Sequence, residues 1–408
     1  MNTSIRHSCG SLRAGLAALC AVVLAVACGG GSGDNMNASG RAITQGTITG
    51  FGSVIVNGVR FDDSAAQVVD DDGQAHDNSD LKLGMNVEVE SSDIDRGSNS
   101  AKASHVRFGA AIVGPVSAVS MPNTPKTLTV LDQTVDISDT TVFDDSLPNG
   151  FASVSVGDII EVHALLDIAT GHYLAKRIEP DPGATVFKLR GIVAGLDTTA
   201  KTFMIGAAVI DFSGIAPTDL PSNLANGLGV RVRLQTAKGG PWVAISIQAE
   251  RRDMEDHDEA EVHGTITDFT STTSFSVNGL PVDASKAAFP DGTAGIVLGA
   301  SVEVQGAIAN GVLVATRVEL EDMHRNDGAN QPELHGAISG LDTQAKTFLV
   351  RGVKVHYVSG TTVFKDGTEA NLANGVAVEV KGALSSDGTT VEASLIDFES
   401  MGSMGSMM

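Results

Sequence analysis

Two short acidic segments contain residue types that serve as ligands of divalent metal ions in proteins. Residues 251–260 include Asp256, His257 and Asp258, and residues 322–332 include His324. Imidazole nitrogen and carboxylate oxygen are ligands of divalent transition metals, so one hypothesis is a metal site at these segments. The alternative is a pair of solvated acidic linkers, which is what charged runs between domains usually are.

The C-terminal tail, residues 400–408, consists of methionine, glycine and serine. Thioether sulfur is a soft ligand that suits Cu(I), which makes Met404 and Met407 further candidate metal ligands. The tail contains no histidine or cysteine, and we favour its interpretation as a low-complexity segment.

No motif in the sequence indicates an enzyme or a cofactor. The run Asp70-Asp71-Asp72-Gly73 lacks the spacing and the terminal glutamate of an EF-hand loop, so we interpret it as a polar loop. We find no zinc-protease helix, no nucleophile elbow and no phosphate-binding loop. A catalytic triad assembled from distant residues is the remaining, weakest possibility.

Composition excludes some classes of partner. The chain has 27 Lys and Arg against 49 Asp and Glu, a formal net charge of −22. Nucleic-acid binding needs clustered basic residues, so no nucleic-acid partner is expected. The only tryptophan is Trp242 and the tyrosines are Tyr173 and Tyr357, which disfavours the aromatic platforms of a carbohydrate-binding module.

The N-terminus predicts export. Arg6 and Arg13 precede an apolar run over residues 14–27, which is too short for a permanent membrane helix. The string Leu24-Ala25-Val26-Ala27-Cys28 resembles the bacterial lipoprotein signal, although leucine is commoner than alanine at the position of Ala25. This resemblance implies a signal peptide over residues 1–27, acylation of Cys28 and a lipid anchor in the cell envelope. Residues 28–44 would form a flexible tether, and Gly29 after the cysteine points to the outer membrane.

Three landmarks recur five times in the rest of the chain. Each copy opens with Gly-x-Ile/Val, later has Gly-x-x-Val/Ile-x-Val, and closes with Ala-x-x-Val/Ile. The second landmark begins at Gly84, Gly157, Gly227, Gly299 and Gly375. Such regular self-similarity indicates tandem domains.

The landmarks predict β-strands. Alternating Val-Glu-Val at residues 87–89, 302–304 and 378–380 has the period of a half-buried strand. Asn57-Gly58 and Asn278-Gly279 lie between β-forming residues, as in a type I′ hairpin. We expect one strand after the opening glycine, then a hairpin, a short helical turn and two more strands.

Five strands in this order predict an all-β chain of five small OB-like barrels, with repeated β-sandwiches as the alternative. The predicted repeats span residues 45–109, 112–181, 186–250, 261–321 and 333–399. The chain resembles bacterial lipoproteins built from tandem copies of a short β domain of unknown function. This resemblance implies export and a barrel-like module, and it implies no catalytic residue.

Two functions remain open after the sequence analysis. The first is a non-catalytic binding or scaffolding lipoprotein, held at the membrane by its lipid, whose partner is another envelope protein or a small ligand. The second is a metal-handling envelope protein that uses the acidic linkers and the methionine tail.

Overall fold

The computed structural model describes residues 42–121, 125–237, 239–250, 256–321 and 331–399. The expected signal peptide, Cys28, His324, Met404 and Met407 lie outside these residues. The described part is all-β, with 29 strands, four short 3-10 helices and no α-helix, which confirms the predicted fold class. In this part we find no helix of the length and apolarity needed to cross a membrane.

Five consecutive repeats share one strand plan. Repeat 1 contains β1 (Ala42–Phe51), β2 (Val54–Val56), β3 (Val59–Asp62), β4 (Gln67–Asp70), β5 (Ala75–His76), a 3-10 turn (Asn78–Asp80), β6 (Asn86–Ser91) and β7 (Ser100–Phe108). Repeat 2 contains β8 (Ile112–Val119), β9 (Thr127–Val130), β10 (Gln133–Asp136), β11 (Val142–Phe143), a 3-10 turn (Gly150–Ser153), β12 (Ile159–Asp167) and β13 (His172–Pro180). Repeat 3 contains β14 (Phe187–Asp197), β15 (Thr202–Ile205), β16 (Ala208–Asp211), a 3-10 turn (Pro217–Asp219), β17 (Gly229–Leu234) and β18 (Trp242–Ala249). Repeat 4 contains β19 (His257–Ser271), β20 (Ser274–Val277), β21 (Leu280–Asp283), β22 (Ser301–Ala309) and β23 (Val312–Glu321). Repeat 5 contains β24 (Glu333–Asp342), β25 (Thr347–Val350), β26 (Val353–His356), β27 (Val363–Lys365), a 3-10 turn (Glu369–Asn371), β28 (Ala377–Leu384) and β29 (Val391–Phe398).

Each repeat closes into a five-stranded barrel. In repeat 4, β19 pairs with β20 and β20 with β21 in antiparallel fashion, and β21 then pairs with β23 in parallel. Strand β22 pairs with both β23 and β19 and so completes the circle. The other four repeats pair their strands in the same order, which is the order of an OB-like barrel.

The opening glycine lies inside the first strand, whereas the sequence analysis placed the strand after it. A Cβ on Gly46 would lie 2.2 Å from the Asn57 side chain, and one on Gly264 would lie 2.1 Å from that of Asn278. In repeats 1 and 4 the first strand therefore crosses the hairpin turn so closely that a side chain at the crossing would displace the turn asparagine.

Backbone conformation explains the other recurrent glycines. Asn278 and Gly279 have φ of 48° and 79°, as a type I′ hairpin turn requires. The glycine before the fourth strand of each barrel also has positive φ, between 85° and 98°, where an L side chain would be strained. These five residues are Gly84, Gly157, Gly227, Gly299 and Gly375. The fourth barrel strands are β6, β12, β17, β22 and β28.

The barrels pack against one another, and not only in chain order. Repeats 2 and 3 share one hydrophobic core, repeats 1 and 5 share another, and repeat 4 has its own. Strand β1 pairs in parallel with β19 of repeat 4 and with β24 of repeat 5. Small barrels expose much of their surface, and these contacts give each one additional burial.

Two strands begin earlier than the predicted boundaries. Strand β1 begins at Ala42, and β19 begins at His257 inside the segment predicted to be a linker. Ala42 pairs with Glu259, so the first residues of the two strands extend each other's sheet. Pairing within each repeat, Ala42 with Ser91 and His257 with Ile308, makes these tether and linker residues part of the strands as well.

Candidate functional site

Three outward-facing positions on the first and fourth strands differ between repeats. In repeat 4 they are Glu261 and His263 on β19 and Glu303 on β22, which pairs with His263. We call these three positions the outer triad. The strand pairing defines the same positions in the other repeats: Ile43, Gln45 and Glu88 in repeat 1, Ala111, Val113 and Glu161 in repeat 2, Lys188, Arg190 and Arg231 in repeat 3, and Glu333, His335 and Glu379 in repeat 5.

The outer triad of repeat 4 is acidic around one imidazole. His263 Nε2 lies 3.4 Å from Glu261 Oε1 and 3.7 Å from Glu303 Oε2, and its Nδ1 lies 2.7 Å from Glu321 Oε1. Glu261 is buried. Burial disfavours the charged imidazole, but Glu261, Glu321 and Glu303 together raise the pKa of His263 to about 10. Burial raises the pKa of Glu303, and Glu261 adds to this shift.

The outer triad of repeat 5 has the same residue types and is neutralised by cations of the protein. Arg60 of repeat 1 pairs with Glu333, and its Nη1 lies 2.9 Å from His335 Nε2. Lys381 Nζ lies 2.8 Å from Glu379 Oε1 and 3.6 Å from Glu333 Oε2. Hydrogen bonding by His335 lowers the pKa of Glu333 to about 2 despite partial burial, and Arg60 adds to that shift.

The outer triad of repeat 3 carries the opposite charge. Its three cations, Lys188, Arg190 and Arg231, surround Asp71, which repeat 1 supplies from the turn between β4 and β5. The Asp71 carboxylate lies 3.1 Å from Lys188 Nζ, 2.7 Å from Arg190 Nη2 and 2.9 Å from Arg231 Nη1. Repeat 1 is thereby held against repeat 3, although repeat 2 separates them in the chain.

Asp71 is ionised in this environment. Burial alone would raise its pKa, but Arg190, Lys188 and Arg231 hold the pKa well below its usual value of 3.8. Asp72 adds a second carboxylate, 2.7 Å from Lys188 Nζ. The sequence analysis took these two aspartates for a polar loop, whereas they form an ion-pair contact between repeats.

A cavity of about 550 Å³ lies beside this contact, where repeats 1 to 4 meet. Repeat 1 contributes Glu88 and Arg107, repeat 3 contributes Arg190, and repeat 4 contributes His263 and Asn278. Repeat 2 supplies an apolar wall. Ala164, Leu165 and Leu166 form this wall.

The metal ligands predicted from sequence do not converge in the described residues. His257 is buried at the start of β19, while Asp256 and Asp258 are exposed. Asp256 Oδ1 accepts a hydrogen bond from the backbone N–H of Asn310 at 2.6 Å. His324, Met404 and Met407 lie outside the described residues, so a site that includes them stays a prediction.

The outer triads are the candidate site residues that the sequence analysis did not select. The positions equivalent to His263 and His335 hold Gln45, Val113 and Arg190 in the other repeats, so no shared histidine marks the site in the sequence. The usable signal was the string Glu-x-His-Gly, which repeats 4 and 5 share, together with Val-Glu-Val on the fourth strand. Cross-strand pairing of His263 with Glu303 turns these two signals into one cluster.

Comparison with known proteins gives a family match without an activity. A family model described as "Domain of unknown function (DUF5666)" matches residues 113–179, 263–319 and 335–397, which lie in repeats 2, 4 and 5. No curated protein matches the chain. A solved structure titled "drosophila Unr CSD456" is similar at 13% identity, over 53% of this chain and 98% of that one, with a TM-score of 0.13. The barrel assignment rests on the strand pairing described above.

Replacing Asp71 with asparagine should destabilise the folded chain. The substitution leaves Lys188, Arg190 and Arg231 without their shared counter-charge in a largely buried place, which typically costs about 3–5 kcal/mol. Denaturant unfolding measures the change. The control is Asp139→Asn at an exposed position, which should change the free energy of unfolding by less than about 0.5 kcal/mol.

The effect of Asp71→Asn should also depend on pH. The pKa of Asp71 is lower in the folded chain than in the unfolded chain, so its contribution to stability is complete well above pH 3.8 and is lost as the pH falls below that value. The difference in stability between wild type and variant should therefore be smaller at pH 3 than at pH 6. An equal or larger difference at pH 3 would show that Asp71 does not act through its charge.

Proposed function

We propose that the chain is a non-catalytic binding protein of the bacterial cell envelope, anchored by lipid on Cys28, whose repeats enclose one cavity for a small polar ligand. The observation that carries this proposal is the cavity of about 550 Å³ between repeats 1, 2, 3 and 4. Pockets that bind small molecules usually measure about 300–1,000 Å³, so this volume suits a small organic ligand.

The polar lining indicates what kind of ligand would fit. Four arginines and four carboxylates line the cavity, so their formal charges cancel. These residues are Arg107, Arg190, Arg231, Arg233, Asp71, Asp72, Glu88 and Glu250. Several of them already pair with one another, as Arg107 does with Glu88 at 3.0 Å. A balanced lining favours a ligand of small net charge that has both hydrogen-bond donors and acceptors.

The lining also argues against the other ligand classes. A nucleic-acid site needs an excess of Lys and Arg, whereas this lining is balanced and the whole chain is acidic. Among the described lining residues the only aromatic side chains are Phe108, Tyr173 and the imidazole of His263. Tyr173 is buried and donates its hydroxyl to the Arg190 carbonyl, so it offers no stacking platform for a sugar.

The envelope anchor is supported by the N-terminal sequence. Residues 14–27 form the apolar segment of a secretion signal, and Cys28 stands where the acylated cysteine of a lipoprotein stands. All three cysteines occur within the first 28 residues, so no thiol of the repeats competes for that role. Several acyl chains on one cysteine would hold the repeats at the membrane.

Photocrosslinking in intact cells should identify the occupant of the cavity. We would replace the exposed Gln248, at the cavity wall, with p-benzoylphenylalanine, and use Val156, which is 64% exposed and outside the lining, as the control. The proposal predicts an adduct of small-molecule mass on the chain at position 248 and not at 156. The absence of an adduct at position 248 would contradict the proposal of a small-ligand cavity. A protein adduct at this position would also contradict it and would identify a protein as the binding partner.

Cys28→Ala should release the chain from the membrane. Wild-type chain should incorporate radiolabelled palmitate and sediment with membranes, because acyl chains contribute about 0.8 kcal/mol per buried methylene. The variant should do neither. Cys20→Ala, a cysteine inside the expected signal peptide, is the matched control and should behave as wild type. Palmitate incorporation by Cys28→Ala would contradict the assigned anchor.

A further inference from the structure

The outer triad of repeat 4 has the dimensions of a metal site. Zinc bonds to nitrogen and oxygen are about 2.0–2.2 Å long, which places tetrahedral ligands about 3.3–3.6 Å apart. His263 Nε2 lies 3.4 Å from Glu261 Oε1 and 3.7 Å from Glu303 Oε2. The ligand atoms of all three residues lie within 4.8 Å of one another. Small adjustments of the side chains would therefore bring three ligands around one ion.

The histidine is oriented as a metal ligand is. Its Nδ1 lies 2.7 Å from Glu321 Oε1, which leaves Nε2 directed at the other two carboxylates. Metal-binding histidines usually donate their second ring nitrogen to a carboxylate or carbonyl in this way, and the contact fixes the ring and strengthens the ligand.

Negative charge around His263 exceeds the positive charge that the described residues supply. Three carboxylates, of Glu261, Glu303 and Glu321, face one imidazole. The nearest guanidinium in the described part of the chain is that of Arg96, 3.9 Å from Glu261, and its side chain is 55% exposed. Glu261 itself is 4% exposed, and a buried carboxylate is costly without a close counter-charge.

In repeat 5 the same three residue types lie beside cations of the protein. Its triad is occupied by Arg60, whose Nη1 lies 2.9 Å from His335 Nε2, and by Lys381, 2.8 Å from Glu379. The ligand atoms of Glu333, His335 and Glu379 also lie within 4.8 Å of one another, so the two triads differ in the cations beside them and not in their residue types. In repeat 4 the residue equivalent to Lys381 is Gln305, which is uncharged. Two cations of the protein thus lie within hydrogen-bond distance of the repeat 5 triad, whereas in the described residues around the repeat 4 triad Arg96 offers only a longer contact from an exposed side chain.

From these observations we propose that Glu261, His263 and Glu303 bind one divalent transition-metal ion, with Zn²⁺ as the ion that best suits one imidazole and two carboxylates. The site differs from the acidic linkers and the methionine tail, and it does not depend on the proposed organic ligand. Because His263 lines the central cavity, the ion has an entry path through it.

Zinc binding to the full-length, detergent-solubilised chain tests the proposal. We expect the dissociation constant of the tightest Zn²⁺ site, measured by titration calorimetry, to increase at least about 100-fold in His263→Gln, since even outer-shell substitutions cost 10–100-fold. His335→Gln, the matched change in repeat 5, should leave that constant unchanged. Saturating Zn²⁺ should also raise the melting temperature of wild type and His335→Gln but not of His263→Gln. Circular dichroism in EDTA checks that all three proteins are folded.

A second variant tests the argument from repeat 5. Arg60→Ala combined with Lys381→Gln gives repeat 5 the uncompensated triad of repeat 4, so the number of tightly bound Zn²⁺ ions should increase from one to two. Failure to gain the second ion would contradict the argument. Equal binding by wild type and His263→Gln would overturn the proposal and move the ion to the linkers or the tail, and no binding by wild type would overturn it as well.

Discussion

The ion-pair contact around Asp71 is the interaction on which the arrangement of the barrels depends. One buried carboxylate of repeat 1 lies among three cations of repeat 3, so its removal leaves these cations with less counter-charge than they need, even though Asp72 still pairs with Lys188. Hydrophobic contact between barrels is not directional, whereas this contact allows one orientation. The central cavity lies directly beside it and has walls from repeats that are not neighbours in the chain.

Repetition and variation serve different purposes in this chain. The glycine before the fourth strand of the barrel recurs in every repeat, and all five barrels close by the same strand pairing. The outer triad is basic in repeat 3 and is acidic with a histidine in repeats 4 and 5. Opposite charges from repeat 1, Asp71 and Arg60, then meet repeats 3 and 5 respectively. The assembly follows from the residues in which the repeats differ.

Local structure could be predicted from the sequence because its causes are local. Alternating valines, the Asn-Gly turns and the glycine before each fourth strand depend on residues a few positions apart. The contact of β1 with β19 and β24 could not be predicted, since it joins residues more than 200 positions apart and no local pattern encodes it. Asp71 and His263 were underrated for a related reason. Their partners lie on other strands or in other repeats, and the residues in which the repeats differ specify which repeats meet.

Small-angle X-ray scattering tests most directly whether the repeats form one body. The described residues all belong to a single compact unit, and a compact chain of residues 38–408 should have a radius of gyration of about 21 Å. Five barrels joined only end to end would give a clearly larger value. A radius near 21 Å, measured on a chain that begins at residue 38, is the result we predict. A value near that of the extended string would contradict both the contact between repeats 1 and 3 and the cavity beside it.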